Sequence, residues 1–314
     1  MNNFMPFGSM PCEIIIPEGW IDQRKFEISL QQCGNILVDV PDLVIIKFTA
    51  DCKLLIDVAI RLLSFCNQII AAGGRLCLDF DPGAYGSIGY LSRMGFFDGL
   101  SAKAVVKPTR PRQSGAQRFK GGNSGLVEIE RFNSTTKPEQ NLVPRLANAV
   151  ATACAGRSDV KEIGNMIFNI FGTLIDNVYE HSQTDLDAYA ALQTYKNGNQ
   201  LTLSVSDSGI GIIGSLKPAL VAQRSAYGAL SDVELLVEIF KQGLTSKPDD
   251  KRGLGLKGSA RAAIQFQADM DVRLPNQRIV LKPSEGHYTP DMAFSQEDLP
   301  LLKGTHISFS FNLA

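Results

Sequence analysis

The sequence is poor in the residues on which several kinds of chemistry depend. Of its 314 residues only three are histidine and one is tryptophan, and neither sign of charge prevails: 31 Lys plus Arg stand against 32 Asp plus Glu, for a formal net charge of -1. A protein that coats nucleic acid needs net positive charge to displace counterions, so that role is excluded for the chain as a whole. The six cysteines, Cys12, Cys33, Cys52, Cys66, Cys77 and Cys154, include no CxxC pair and no histidine at a metal-ligand spacing, which argues against a structural zinc site. Most lie in apolar runs such as Arg75-Leu-Cys-Leu-Asp79, where a thiol is a small core residue, so buried, reduced cysteines and a cytoplasmic setting are expected. No apolar run reaches membrane length, because Asp57 and Arg61 interrupt the best candidate. Met1 to Gly8 lacks the basic start and apolar run of a signal peptide. There is also no GxxxxGK[ST], which excludes a P-loop.

What is present is enough to fold. With 44% hydrophobic and 20% charged residues the chain can build sizeable cores, and its length predicts two domains. In the first, residues 1–106, Glu13 to Ile16, Leu43 to Phe48 and Arg75 to Phe80 read as strands. From Lys53 to Ala72, Leu54, Leu55, Val58, Leu62, Phe65 and Ile69 recur at three- and four-residue spacing, predicting an amphipathic helix stopped by Gly73-Gly74. A short helix is expected from Ser87 to Met94, completing a small α/β domain. Residues 107–125 then carry five basic side chains, Lys107, Arg110, Arg112, Arg118 and Lys120, and no acid, with two Pro and four Gly. That composition predicts a linker or loop, either a solvated connector or a contact for phosphate or an acidic partner.

In residues 126–314 the pattern predicts a strand at Leu126 to Phe132 and helices at Leu142 to Cys154 and from an Asp159 cap to about His181. Strands follow at Ala188 to Tyr195 and Gln200 to Ser206, flanking the hairpin signal Lys196-Asn-Gly-Asn199. Others are expected at Met270 to Leu274, Arg278 to Lys282 and Thr305 to Phe311, with His287 on a surface loop. Helices interleaved with antiparallel strands indicate a two-layer α/β sandwich.

Three stretches of this half carry chemistry. In Thr173-Leu-Ile-Asp-Asn-Val-Tyr-Glu-His-Ser182, Thr173, Asn177 and His181 share a helix face, with Asp176 and Glu180 beside it. An amide oxygen and carboxylates at one helix end can hold Mg²⁺ together with substrate phosphates, although an exposed helix face fits the pattern too. In Leu203-Ser-Val-Ser-Asp207-Ser-Gly209-Ile-Gly211, a strand runs into an acid and two spaced glycines. Such an Asp can accept a hydrogen bond from an exocyclic amine and such glycines let backbone approach a flat ligand; an ordinary strand-to-turn exit is the alternative. The third stretch, Gly243 to Ser259, includes Gly253-Leu-Gly255-Leu-Lys-Gly258 opening a helix, a setting that favours anions. It is formally a GxGxxG, but the polar loop Thr245 to Arg252 stands where a dinucleotide-binding fold needs an apolar strand.

In order and spacing these stretches resemble the ATP-binding domain shared by gyrase, Hsp90-type chaperones, sensor histidine kinases and MutL, the GHKL or Bergerat type, over about Leu142 to Phe311. The resemblance implies a mixed, mostly antiparallel sheet and a site for ATP and Mg²⁺. Asn177 would ligate the Mg²⁺, and Asp207 would bind the adenine amino group. Gly209 and Gly211 would lie against the nucleotide. Gly253, Leu254, Gly255 and Leu256 would close the phosphate site, Thr245, Ser246 and Lys247 would reach the terminal phosphate from a lid, and Thr305, after Gly304, would line the adenine pocket. One position departs from the pattern: where efficient hydrolases carry a Glu four residues before the Asn, this chain has Thr173. A hydroxyl is a poor general base, so hydrolysis should be slow unless Glu180 or Asp176 substitutes. No phosphoacceptor histidine precedes the domain, which argues against a conventional sensor kinase.

Gly73-Gly-Arg-Leu-Cys-Leu-Asp-Phe80 followed by Ser87-Ile-Gly-Tyr-Leu91 is similar to the STAS fold of anti-sigma antagonists, which implies Ser87 as the nearest match to a phosphoacceptor. The Asp-Ser-Ser-Gly context is missing, so a non-phosphorylated relative is expected. Together the resemblances imply an ATP·Mg²⁺-binding regulatory protein whose ordered lid controls a partner or its own N-terminal domain. The alternatives are a serine kinase acting on a STAS-like partner of a sigma-factor pathway, and an ATPase contacting nucleic acid through the basic linker. The resemblance allows either a homodimer closed by ATP, as in the chaperone and gyrase relatives, or action within a monomer.

Overall fold

The computed structural model describes residues 11–119, 126–133, 142–195, 199–244 and 254–312. The first module contains β1 (Cys12–Ile16), β2 (Gly19–Ile21), α1 (Gln23–Leu30), β3 (Leu43–Phe48), β4 (Cys52–Leu54), α2 (Ile56–Ala71), β5 (Arg75–Phe80), α3 (Tyr85–Met94), α4 (Phe96–Gly99), β6 (Val105–Lys107) and α5 (Gly115–Phe119). Strands β1, β3, β5 and β6 pair in that order, all parallel, while β2 and β4 form a separate parallel pair. Parallel neighbours need crossover connections, which α1, α2 and α3 with α4 supply. The predicted strands and helices of this module are all found. The helix expected from Lys53 starts at Ile56 instead, because Cys52–Leu54 pairs with β2.

Of the segment read as a connector, residues 107–119 are described; most are exposed, as expected of a connector, but Ala116 is buried. Lys107 ends β6, and Arg110 donates to the carbonyls of Ser101, Phe97 and Leu100. The cysteine expectation is corrected in part: Cys12 on β1 and Cys33 on the following 3-10 turn lie with Cα atoms 6.0 Å apart and are joined as a disulfide. Cys52, Cys66, Cys77 and Cys154 are free and buried.

The second module contains β7 (Leu126–Phe132), α6 (Leu142–Ala153), α7 (Val160–His181), β8 (Ala188–Tyr195), β9 (Gln200–Ser206), α8 (Gly211–Ala222), α9 (Asp232–Gln242), α10 (Leu254–Gln265), β10 (Asp269–Leu274), β11 (Gln277–Ser284), β12 (His287–Pro290) and β13 (His306–Asn312). Its sheet has the order β12-β11-β10-β13-β9-β8-β7, and every pairing in it is antiparallel rather than mixed. His287 opens the edge strand β12 instead of lying in a loop. Period-two alternation divides the sheet's residues between two faces. Leu201, Leu203 and Val205 of β9, Met270, Val272 and Leu274 of β10 and Ile307, Phe309 and Phe311 of β13 share one core with Leu146, Ile163, Ile167, Ile170, Phe171 and Leu174 of α6 and α7. The chain is thus mixed α/β throughout, and none of its described helices is long and apolar enough to cross a membrane.

The opposite face of the seven-stranded sheet carries Ser204, Ser206, Asp271, Arg273, His306 and Ser308, and all of these are buried. What covers them is α2, which crosses beneath β8 and β9. Its apolar side belongs to the first module's core with Phe48, Leu78 and Phe96, so the helix is enclosed on both sides. Asp57, Arg61, Ser64 and Gln68, spaced to form one stripe, are each no more than 2% exposed. They are expected at the surface of an amphipathic helix, and they are buried here because the second module supplies partners for Arg61, Ser64 and Gln68, while Asp57 accepts from Gln23 and the Val58 amide within the first. Arg61 pairs with Asp271 (2.9 Å) and with Glu27 (3.1 Å), Arg273 with Glu27 (3.1 Å), and Arg278 with Asp271 (2.6 Å).

Candidate functional site

Helix α7 owes its position to the periodic row Ile163, Ile167, Ile170, Phe171, Leu174 and Val178, all buried against the sheet. The carbonyl of its Asp159 cap residue accepts from the Ile163 amide (3.1 Å), but the side chain does not cap the helix and pairs with Arg157 (2.8 Å) instead. The last turns of α7 lie over the exits of β9 and the start of β13, and between them is a cavity of about 50 Å³. Asn177, His181, Asp207, Gly211, Leu256 and Thr305 all line it, together with Ser182. Residues spread over nearly 130 positions of sequence are therefore brought to one place. The volume corresponds to roughly three to five waters, a narrow slot.

The floor of the slot is a tight crossing of two backbone segments. Asp207 is 7% exposed; its Oδ1 accepts from the Gly209 amide (2.8 Å) and its Oδ2 from the Thr305 amide (2.9 Å). Burial pushes the Asp207 carboxyl up to about 6, and those two amides partly oppose the shift. The Asp207 amide in turn donates to the Thr305 carbonyl (3.1 Å), and the Ile212 amide to Thr305 Oγ1 (2.8 Å). Gly304 makes this crossing feasible: it has φ of 99°, and a Cβ there would stand 2.1 Å from the Asp207 carbonyl oxygen. Each carboxylate oxygen, engaged by one amide, retains a lone pair for a further donor.

Two polar atoms at this cavity are buried without a hydrogen-bond partner, Asn177 Nδ2 and Ser182 Oγ. Buried polar groups are rarely left so, and an unpaired one in a cavity wall points to a group that the cavity receives. Ser182 is absent from the sequence-based set of site residues. Its signal is nevertheless legible, since the four-residue spacing Leu174, Val178, Ser182 puts it on the lining face.

Other expectations are revised. Gly209 does not line the cavity: a Cβ there would lie 1.9 Å from the Ser182 carbonyl oxygen, so this glycine admits the end of α7 rather than a ligand. Gly255 is exposed in the first turn of α10 and packs against Thr173, whose Cγ2 would be 2.9 Å from an added Cβ. Leu254 opens the same helix. Glu180 is exposed, 3.8 Å from His181, and neither it nor Asp176 lines the cavity. Thr245, Ser246, Lys247 and Gly253 lie outside the described residues. Ser87 is buried and donates its hydroxyl to the Cys52 carbonyl, so it is not presented at the surface for modification.

Among the described residues no group of three or more His, Cys, Asp or Glu could hold a metal by itself. A comparison with protein-family models finds no match to this chain, and a comparison with curated proteins finds none either.

Proposed function

We propose that the second module is a GHKL-type domain that binds ATP with Mg²⁺ in the α7–β9–β13 cavity, and that the protein is a nucleotide-dependent regulator with slow hydrolysis at most. The observation that carries the reading is the convergence of Asn177, Asp207 and Thr305 on one cavity that also holds two unpartnered buried polar atoms. A two-layer arrangement with α6, α7 and α10 on one face of a sheet supports the reading, although the sheet is wholly antiparallel where the resemblance implies a mixed, mostly antiparallel one.

The residues fit the absent groups. Asp207, ionised, offers acceptors to an exocyclic amine; Gly211 and Leu256 give the slot apolar walls for a flat base. That the described residues form no protein-only metal cage is compatible with Mg²⁺, which keeps water and phosphate oxygens and takes few protein ligands; Asn177 would be one at this cavity. An amide's two ends exchange by a flip, so the unpartnered Nδ2 position can equally present oxygen. Bound, the nucleotide would supply a β–γ phosphoanhydride bond to cleave, with ADP as the leaving group. Among the described residues Asp207 is the carboxylate that lines the cavity, and it is held by the Gly209 and Thr305 amides; Thr173 packs on Gly255 and Glu180 is exposed, so neither is placed to activate water. Loss of a positioned base costs about 10²- to 10⁴-fold, which favours binding over turnover.

In this reading, nucleotide binding changes the docking of a protein partner. The first module is already seated on the far face of the sheet through α2, so the partner is a separate molecule. Calorimetry with MgATP and a product assay on the same sample test the proposal. Micromolar binding with turnover below about one per second is expected. Turnover of about 10 per second or more would refute the regulatory assignment, and transfer of the γ-phosphate to a serine would make the protein a kinase of the anti-sigma type.

A further inference from the structure

Gln68 sits in the last turns of α2, 2% exposed, and its amide makes three hydrogen bonds to the second module. Oε1 accepts from the Lys303 amide (2.9 Å), and Nε2 donates to the Lys303 carbonyl (3.0 Å) and to Ser208 Oγ (3.0 Å). Ser208 follows Asp207, and Lys303 precedes Gly304-Thr305. One turn earlier on the same stripe, Ser64 Oγ meets Ser206 Oγ (2.8 Å), which is itself bonded to His306 Nδ1. The helix therefore holds the residues on both sides of Asp207 and, directly or through Ser206, those on both sides of Gly304-Thr305.

The crossing between those segments has no slack. Four hydrogen bonds of 2.8–3.1 Å link residues 207–212 to one another and to Thr305, and Gly304 leaves no room for even a methyl group. Shifting Ser208 or Lys303 must then shift the amides that hold the Asp207 carboxylate.

We infer that Gln68 is a positioning residue of the cavity, through which the N-terminal module fixes Asp207 and Thr305 from behind and sets the affinity for the ligand. The inference rests on the nucleotide reading for the identity of that ligand, and on the hydrogen bonds alone for the positioning. Coupling between sites is reciprocal: whatever moves α2 from the first module changes ligand affinity, and ligand stiffens α2 by the same factor.

The test uses the whole chain and Gln68→Met, which keeps length and apolar stem but deletes the three bonds. MgATP should bind about tenfold more weakly by calorimetry. Hydrogen exchange should quicken at the Gly209 and Thr305 amides while Leu203 and Phe309, in mid-strand, stay protected. Ser208→Ala, a milder deletion of one bond, should show the same pattern at about threefold. Tyr90→Phe, which removes a different contact between the modules (Tyr90 to Gln193, 2.6 Å), should alter neither readout. Unchanged exchange at Gly209 and Thr305, uniform acceleration along β9 and β13, or an equal effect of Tyr90→Phe would each overturn the inference. If the parent protein binds no MgATP, the nucleotide reading fails, and the exchange pattern still decides the role of Gln68.

Discussion

Asn177 and Asp207 give the site two separable tests. Because Asn177 Nδ2 has no partner, removing the amide orphans nothing else. Asn177→Ala should abolish measurable MgATP binding in calorimetry while leaving the melting temperature within a few degrees of the parent. Asp207 makes binding depend on pH, since an amine donor needs the ionised acceptor. With its carboxyl pushed up to about 6 by burial, affinity should rise with pH through 6, level off above about 7, and fall by up to tenfold per pH below 6. Stability responds with the opposite sign. The unfolded chain releases this proton at the ordinary lower value, so the Asp207 contribution to stability is full below about pH 4 and declines as pH rises to 6. Binding and folding curves that move together across that window would reject the assignment. Asn177, Asp207, Gly211, Leu256 and Thr305, which the cavity brings together, were readable individually from the sequence, since an Asp at a strand exit and an Asn on a polar helix turn are visible in one dimension. The role of Gly209 was not, because the Ser182 carbonyl that demands it belongs to an element 27 positions earlier.

Among the elements, α7 and α2 differ in how much the sequence discloses. A row of apolar residues facing one sheet is all that α7 needs, and its limits follow from the pattern. Helix α2 has the same apolar row, but its polar stripe is buried by Asp271, Ser206, Ser208 and Lys303, at least 140 residues away. No local rule distinguishes a stripe that meets water from one that meets another sheet. The consequence is measurable at Arg61, which is 1% exposed between two carboxylates. Breaking a buried ion pair costs about 3–5 kcal/mol, and Arg273 and Arg278 each still accompany one of the two acids. Arg61→Leu should therefore lower stability by about 3 kcal/mol in urea titration at pH 7, with no change in the number of transitions.

For the whole molecule, the layers run helices, antiparallel sheet, α2, parallel sheet. Tyr189 and Ala191 of the second module lie in the first module's core, along with Leu126 and Leu302. A length-based division into two domains describes the sheets well, but a shared helix and a shared core couple them. Thermal unfolding should accordingly be a single transition in which calorimetric and van't Hoff enthalpies agree; two resolved transitions would show that the modules fold separately.

The place of β13 in the sheet also sets an order of events during synthesis. It lies centrally, between β10 and β9, yet it is translated after every other strand of that sheet. Until it emerges, β7-β8-β9 and β10-β11-β12 are two ribbons with open edges. His306 trails its β9 neighbour Ser206 by 100 residues, which at about 5–20 residues per second leaves β9 waiting about 5–20 s for its partner. Through that interval α2, made first, can already cover one face of β8 and β9, leaving the open edge of β9 for β13.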